Sequence, residues 1–279
     1  MEEKSILITG CSSGIGLCVA EGLLRRGYRV FTTARKQEDV KILLNKGMES
    51  FQLDLDDSSS IKRAVHEVLN KTEGKLFALF NNGGFGQPGA VEDLRREVLR
   101  EQFETNVFGY LELTNIILPT MRKQGYGRII QNSSILGFIS LPFRGAYIAS
   151  KHALEGLSDT LRMELKGTNI FVSIIEPGPI EAKFRQNAYA KYKENIDAKS
   201  SHFHKQYEAM EERLTKETAP LPFTLPPTAV LEKVLRVLES SKPKARYYVT
   251  TPAYIFAGLK RLLPGFLLEK LLINVGTRG

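Results

Sequence analysis

A chain of 279 residues, 42% hydrophobic and 25% charged, has the make-up of an ordinary globular protein able to bury a full core. The formal net charge of +8 favours anionic partners, a class that spans nucleic acid, acidic membrane surfaces and phosphorylated cofactors. Lys and Arg are interspersed with acids, with no basic block and no RNA- or DNA-binding signature, so nucleic acid is not expected as a partner.

The opening MEEKSILITG begins with acids and runs directly into a strand, Ser5–Thr9, so no secretion signal is expected. Thr9-Gly10-Cys11-Ser12-Ser13-Gly14-Ile15-Gly16 then leads into a helix over Ile15–Arg26. Glycines at 10, 14 and 16 permit a tight turn, and the amides around Ser12, Ser13 and Ile15 at a helix start present N–H groups and partial positive charge to a phosphate. Three glycines in a turn also occur for purely structural reasons; following the first strand and opening a helix favours a dinucleotide. Cys11 and Cys18 lie in one short segment and cannot staple distant parts of the chain, which suits a reducing, cytoplasmic setting.

The second strand, Arg29–Thr33, runs on into Ala34-Arg35-Lys36, and the first acid is Glu38. An NAD site places an acid there for the ribose hydroxyl; a guanidinium instead favours the 2′-phosphate of NADP. The alternative is that Arg35 is a solvated loop residue. Next come a helix at Glu38–Asn45, a strand at Phe51–Leu53, a helix at Ser60–Lys71, a strand at Leu76–Phe80 and one long helix over Val91–Lys123. A strand at Arg128–Gln131, a helix at Tyr147–Leu165 and a strand at Ile170–Ile175 complete the alternation. Strands as continuously apolar as LFALF and FVSII fit burial on both faces, so the class is α/β, a doubly wound parallel sheet of Rossmann type. Residues 181–226 are polar and poor in strands, which predicts a substrate-lid insertion. A helix at Thr228–Ser240 and a strand at Arg246–Thr250 follow, and residues 252–279 read as an amphipathic tail. Its apolar run is broken by Lys260, Arg261 and Pro264, short of a membrane span but suited to peripheral membrane contact. One domain, 1–279, is the simplest reading.

Tyr147 and Lys151 stand four apart on one helix face. A tyrosine titrating near ~10 needs help to exchange protons at neutral pH; a neighbouring ammonium would lower its pKa, and a fixed lysine together with the positive charge of an oxidised nicotinamide would supply the shift. Tyr189 and Lys193 share the spacing but fall in the polar insertion, where a chance match on a solvated helix is expected. Ser134, in the loop before Tyr147, can hydrogen-bond a substrate oxygen as charge develops on it; Ser133 is its rival. His202 and His204 lack further ligands at metal spacing, so no metal is expected. Cys11 reads as a small residue filling the turn.

Taken in order, Thr9–Gly16, Asp54, Asn81-Asn82-Gly83-Gly84, Asn106, Ser134, Tyr147, Lys151 and Pro177-Gly178 resemble the classical short-chain dehydrogenases/reductases over essentially the first 250 residues. The resemblance implies that Asp54 and Leu55 hold the adenine, that Asn81, Asn82 and Gly83 line the adenosine side, and that Pro177, Gly178 and Ile180 belong to the cofactor site. It implies a catalytic tetrad of Asn106, Ser134, Tyr147 and Lys151, with Asn106 holding a water that links Lys151 to solvent. Two departures stand out: the family's N-N-A-G is NNGG here, and Ala182 replaces a frequent Thr four positions after Pro-Gly. LITGCSSGIG, IEPGPI and KRLLPGFLLEKLL look like the branch of hydroxysteroid, retinol and bacterial aldehyde reductases, which implies an NADP(H)-dependent oxidoreductase acting on lipophilic aldehydes, retinoids or steroid-like ketones. A homo-oligomer, dimer or tetramer, is also expected. Phe85, Leu136, Phe138, Leu141 and Phe143 are candidate pocket residues, each with core packing as its alternative. The competing function is an NADP(H)-sensing binding protein without catalysis, against which the complete tetrad argues.

Overall fold

The computed structural model describes residues 4–215 and 223–278. Seven strands form one wholly parallel sheet in the order β3-β2-β1-β4-β5-β6-β7: β1 Ser5–Ile8, β2 Arg29–Ala34, β3 Glu49–Gln52, β4 Ala78–Asn81, β5 Gly127–Asn132, β6 Ile170–Glu176 and β7 Arg246–Tyr248. Successive side chains of a strand point to opposite faces, so β1 feeds two cores. Ile6 and Ile8 join Val19 and Leu23 of α1 (Gly14–Leu24) and Val230 and Val234 of α9 (Thr228–Glu239). Leu7 joins the opposite core, with Val65 of α3 (Ser58–Lys71), Leu113 of α5 (Gly109–Gln124) and Leu154 of α6 (Gly145–Glu164). The short α2 (Gln37–Asn45) buries Val40 and Leu43.

The expected single helix over Val91–Lys123 is instead a 3₁₀ turn at Val91–Asp93, α4 at Arg96–Phe103, a π-helical turn at Glu104–Phe108 and then α5. Its start breaks because Ser201 and Tyr207 each donate to the Asp93 carboxylate at 2.6 Å, while Leu94 and Arg95 become extended. The expected strand at Arg246–Thr250 ends at Tyr248, since Thr250 already caps α10 (Thr251–Leu262).

Within 181–226, the described part holds α7 (Phe184–Asn195) and α8 (His204–Thr215); residues 216–222 of the expected insertion lie outside the described residues. The two helices build a satellite core of Tyr192, Ile196, Tyr207 and Met210 against Ala90. Glu181 N–H donates to Leu225 O at 3.0 Å, which closes the insertion at its base. Tyr189 packs against this core and Lys193 pairs with Glu211 at 3.3 Å, so both are engaged within the insertion. The tail folds as α10 and α11 (Gly265–Arg278), and α11 lays Leu268 and Leu272 over Leu136, Ile139 and Ile148. No described helix is long and apolar enough to cross a membrane.

Candidate active site

The glycine turn is built by close backbone approach. Gly10 and Gly14 have φ of +71° and +59°, and a Cβ on Gly10 would lie 2.5 Å from Gly83 Cα. A Cβ on Gly16 would strike Gly10 O and stand 2.6 Å from Asn82 Nδ2. Thr9 Oγ1 accepts from the amides of Asn82 and Gly83 at 2.8 and 2.9 Å, and Asn82 Nδ2 donates to Thr9 O at 2.9 Å, which ties β1's end to β4's. The missing methyl at Gly83 has a local reason: a Cβ there would lie 3.2 Å from Gly10 N and 3.3 Å from Leu55 Cδ1.

The start of α1 suits an anion. Ser13 caps it without a side-chain hydrogen bond and its first turn carries no acid, so the opening amides keep donors for a phosphate. Ser12 is exposed beside them, and Ile15 packs its side chain into the core below. Arg35 and Lys36 are exposed at the end of β2; the Arg35 carbonyl is braced by Gln52 Nε2 at 3.0 Å. Asp54 follows β3 with its carboxylate accepting from Asp56 N–H at 3.1 Å, and Leu55 is buried against the turn. The wholly buried Asn81 side chain donates to Thr114 and Gln131 at 3.1 and 3.0 Å, and its backbone ends β4 in register with Gln131 of β5. Pro177 O accepts from Ile135 N–H at 2.7 Å, a Cβ on Gly178 would strike Thr250 Oγ1, and Ile180 bridges to Leu225. Ala182 Cβ lies 3.2 Å from the point a Cβ on Gly14 would occupy, so it sits over the turn and offers no hydroxyl there.

The four tetrad residues converge where β4 and β5 end. Asn106 lies buried in the π-helical turn; its Nδ2 donates to Phe85 O at 3.0 Å and Ser150 Oγ at 3.2 Å, while its Oδ1 accepts from Phe85 N–H at 3.3 Å. Such turns often mark functional positions. Ser134 caps a 3₁₀ turn at Ile135–Gly137, its Oγ accepting from Leu136 N–H at 3.1 Å. Ser133 is separated from its rival: its buried hydroxyl donates to Glu155 Oε1 at 2.7 Å. Lys151, one helical turn after Tyr147, donates to Asn132 O at 2.7 Å, with its Nζ 5.7 Å from the Tyr147 ring centre.

Burial pushes the Tyr147 hydroxyl up to about 12 in the absence of cofactor, opposed by its hydrogen bond with Ser134. Burial pushes the Lys151 amine down to about 7, opposed by the negative charge of Glu155, so a fully formed ammonium is itself disfavoured there. Cys11 is inert: burial pushes its thiol up to about 12, and Sγ donates to Ile8 O at 3.3 Å. No group of three or more metal-ligating side chains gathers among the described residues.

An apolar wall faces this site. Ile135, Leu136, Phe138, Leu141 and Tyr147 share a cluster with Leu268 and Leu272 of α11. Phe184, opening α7, meets Tyr147 edge-on with ring centres 5.4 Å apart. Phe85 lies under Lys191, whose Nζ is 5.5 Å from the ring centre. Phe143, at φ +61°, turns away to pack on Phe203 and Tyr207. Sequence reasoning missed Asn132, Glu155 and Phe184: Glu155 carries the signal of lying four residues after Lys151, whereas Asn132 and Phe184 carry none without the fold.

The short chain dehydrogenase family model matches residues 4–193. The oxidoreductase YbbO of Escherichia coli (strain K12) is 43% identical over 270 residues, covering 97% of this chain and 94% of its own. The NADPH-dependent 3-dehydrocapnine reductase of Ornithobacterium rhinotracheale is 33% identical over 274 residues, covering 95% and 94%. A short-chain dehydrogenase from Streptomyces avermitilis superposes with a TM-score of 0.73 at 28% identity, covering 93% of this chain and 96% of that one. With its motifs at one sheet edge in family order, this chain belongs to the short-chain dehydrogenases and is an oxidoreductase of that family.

Proposed function

We propose that this oxidoreductase uses NADP(H) to interconvert a lipophilic aldehyde or ketone and its alcohol, with Tyr147 as proton donor and acceptor. The observation that carries the reading is Tyr147 seated between Lys151 and the Ser134 turn, beneath an apolar wall. The glycine turn, the open amides of α1 and the Arg35–Lys36 cations fit a 2′-phosphorylated dinucleotide. When bound, its nicotinamide supplies or accepts the hydride. Ser134 Oγ then hydrogen-bonds the carbonyl oxygen and Tyr147 Oη gives it a proton as negative charge grows. Lys151, fixed on Asn132 O, stabilises the phenolate left behind, returns a proton to it and is itself reprotonated from the side of Asn106. Phe184 over Tyr147 supports the insertion as a lid that excludes water.

Leu262 and Phe266, 81% and 70% exposed beside Lys260, Arg261 and Lys270, support peripheral membrane contact at the tip between α10 and α11. The test of the whole reading is turnover with aliphatic, aromatic, retinoid and steroid carbonyls, with NADPH and NADH in parallel. Turnover on at least one lipophilic carbonyl with NADPH is expected. Tight NADPH binding without turnover on any of them supports the cofactor-sensing alternative instead.

A further inference from the structure

Behind the reacting groups lies a buried cluster of charge that the tetrad does not use. Arg246, which opens β7, donates through Nη1 to Glu155 Oε2 at 2.5 Å and to Glu176 Oε1 at 2.7 Å, and through Nη2 to Asp159 Oδ2 at 2.6 Å. Glu155 and Glu176 are 6% and 0% exposed, so the guanidinium's hydrogen bonds to them are buried and charge-assisted, while its third partner Asp159 stays 35% exposed. Each acid leads to one of the loops beside the reaction. Glu155 Oε1 accepts from Ser133 Oγ, the residue before Ser134, and Glu176 is the last residue of β6, directly before Pro177-Gly178. The Ser133–Glu155 contact runs under Gly137, where an added Cβ would strike both Glu155 Oε1 and Ser133 Oγ. Ile135 N–H to Pro177 O, 2.7 Å, joins the two loops across the top.

We propose that Arg246 and Glu155 are positioning residues of the reaction: the guanidinium locks two buried glutamate side chains, one holding the Ser133–Gly137 turn and the other the strand end before Pro177-Gly178, so that Ser134 is fixed relative to Tyr147. The proposal rests on the catalytic reading above for Ser134 and Tyr147. The geometry requires it in two places. A serine hydroxyl in a turn is ordinarily solvated or bonded to its own backbone, yet here it is spent on a buried acid of α6. That acid lies one helical turn beyond Lys151, so the bond ties the Ser134 turn to the helix that carries both Tyr147 and Lys151.

The test uses the full chain. Ser133→Ala removes the donor and leaves the charge cluster whole; Gly137→Ala forces a methyl between the same two atoms. Each is expected to lower kcat about tenfold with little change in KM for NADPH, the scale on which small misplacements act. The double variant is expected to lose no more than about twofold beyond the worse single, since both cut one link. In the free protein, amide hydrogen exchange over residues 133–139 is expected to quicken in both. Arg246→Lys, which cannot hold both carboxylates with one fork, is expected to quicken exchange there and at 176–180 as well. Native kcat together with native exchange in Ser133→Ala overturns the proposal, whereas failure of the native protein to turn over any carbonyl overturns the catalytic reading and leaves the exchange results to judge the lock.

Discussion

Replacing Lys151 by Met is expected to make the free protein more stable at neutral pH while abolishing most of its turnover. Burial lowers the amine from 10.5 to about 7, so between those values the unfolded chain binds a proton that the folded chain does not. Native stability therefore rises with pH across that window and is lowest, as far as this group is concerned, below pH 7. At 1.36 kcal/mol per pKa unit, the cost of keeping the amine buried is about 4–5 kcal/mol at pH 7 and nearly nothing by pH 10.5. Methionine has similar volume and no charge, but it leaves Asn132 O without the donor that Nζ supplies at 2.7 Å, a loss of about 1–3 kcal/mol. The net expectation is a gain of about 1–4 kcal/mol at pH 7 that shrinks, and then reverses, as the pH approaches 10. Urea unfolding of the native protein and of Lys151→Met at half-unit steps from pH 6 to 10 measures it. A variant less stable at pH 7, or a difference that does not change with pH, refutes the reasoning. The gain would make Lys151 a group held for function at the expense of stability.

Tyr147→Phe should leave the Kd for NADPH within a few-fold and cut turnover by at least ~100-fold; unchanged turnover would remove Tyr147 from the chemistry. Arg35→Ala should reduce a native kcat/KM preference for NADPH over NADH of about 30- to 150-fold towards one, because an exposed fork on the 2′-phosphate contributes about 2–3 kcal/mol. An unchanged ratio in the variant would exclude it as the phosphate reader. Glu176, pushed up to about 8 first by burial and then by Glu155, keeps its proton in the folded chain where the unfolded one has lost it. Its contribution to stability is thus present at acid pH and lost as the pH rises through about 8, and Glu176→Gln should flatten the fall in Tm between pH 5 and 8. A parallel pH dependence in the two proteins would contradict that.

The sheet was legible because its signal is local. Near-continuous apolar strands between helical repeats carry their own period, and Ile6, Leu7 and Ile8 divide between two cores as alternation requires. The Tyr147–Lys151 pair was legible for the same reason, being one turn of one helix. What stayed hidden was set by partners far along the chain. The apolar period runs on through Val91–Lys123, and nothing local shows that Ser201 and Tyr207 take the Asp93 carboxylate and end the first turn. Ser133 and Ser134 could not be told apart until Glu155 claimed one of them. The burial of Tyr147, which raises its hydroxyl before any cofactor charge acts, was not legible either, because a sequence shows neighbours and not burial.

That difference between local and distant signals bears on where substrate choice resides. The parts that the proposed function assigns to the cofactor and the proton come largely from strand ends and the first turn of α6, all fixed by the sheet. The apolar residues near Tyr147 that the proposed function assigns to a substrate come from elsewhere: Phe184 opens the insertion, and Leu268 and Leu272 belong to the last helix. No described residue of either belongs to the sheet: the insertion is held at Leu225 and by Ser201 and Tyr207 on Asp93 and Lys191 on Glu101, the tail by the apolar cluster over Leu136 and by Lys260 on Phe138 O. A fold of this kind can exchange its substrate walls without moving Ser134, Tyr147 or Lys151. If so, Phe184→Ala should change KM among carbonyls of different bulk by several-fold while the NADPH Kd stays put, because the ring covers Tyr147 and not the glycine turn. Equal KM changes for small and large carbonyls would show that Phe184 supports Tyr147 instead of shaping the pocket.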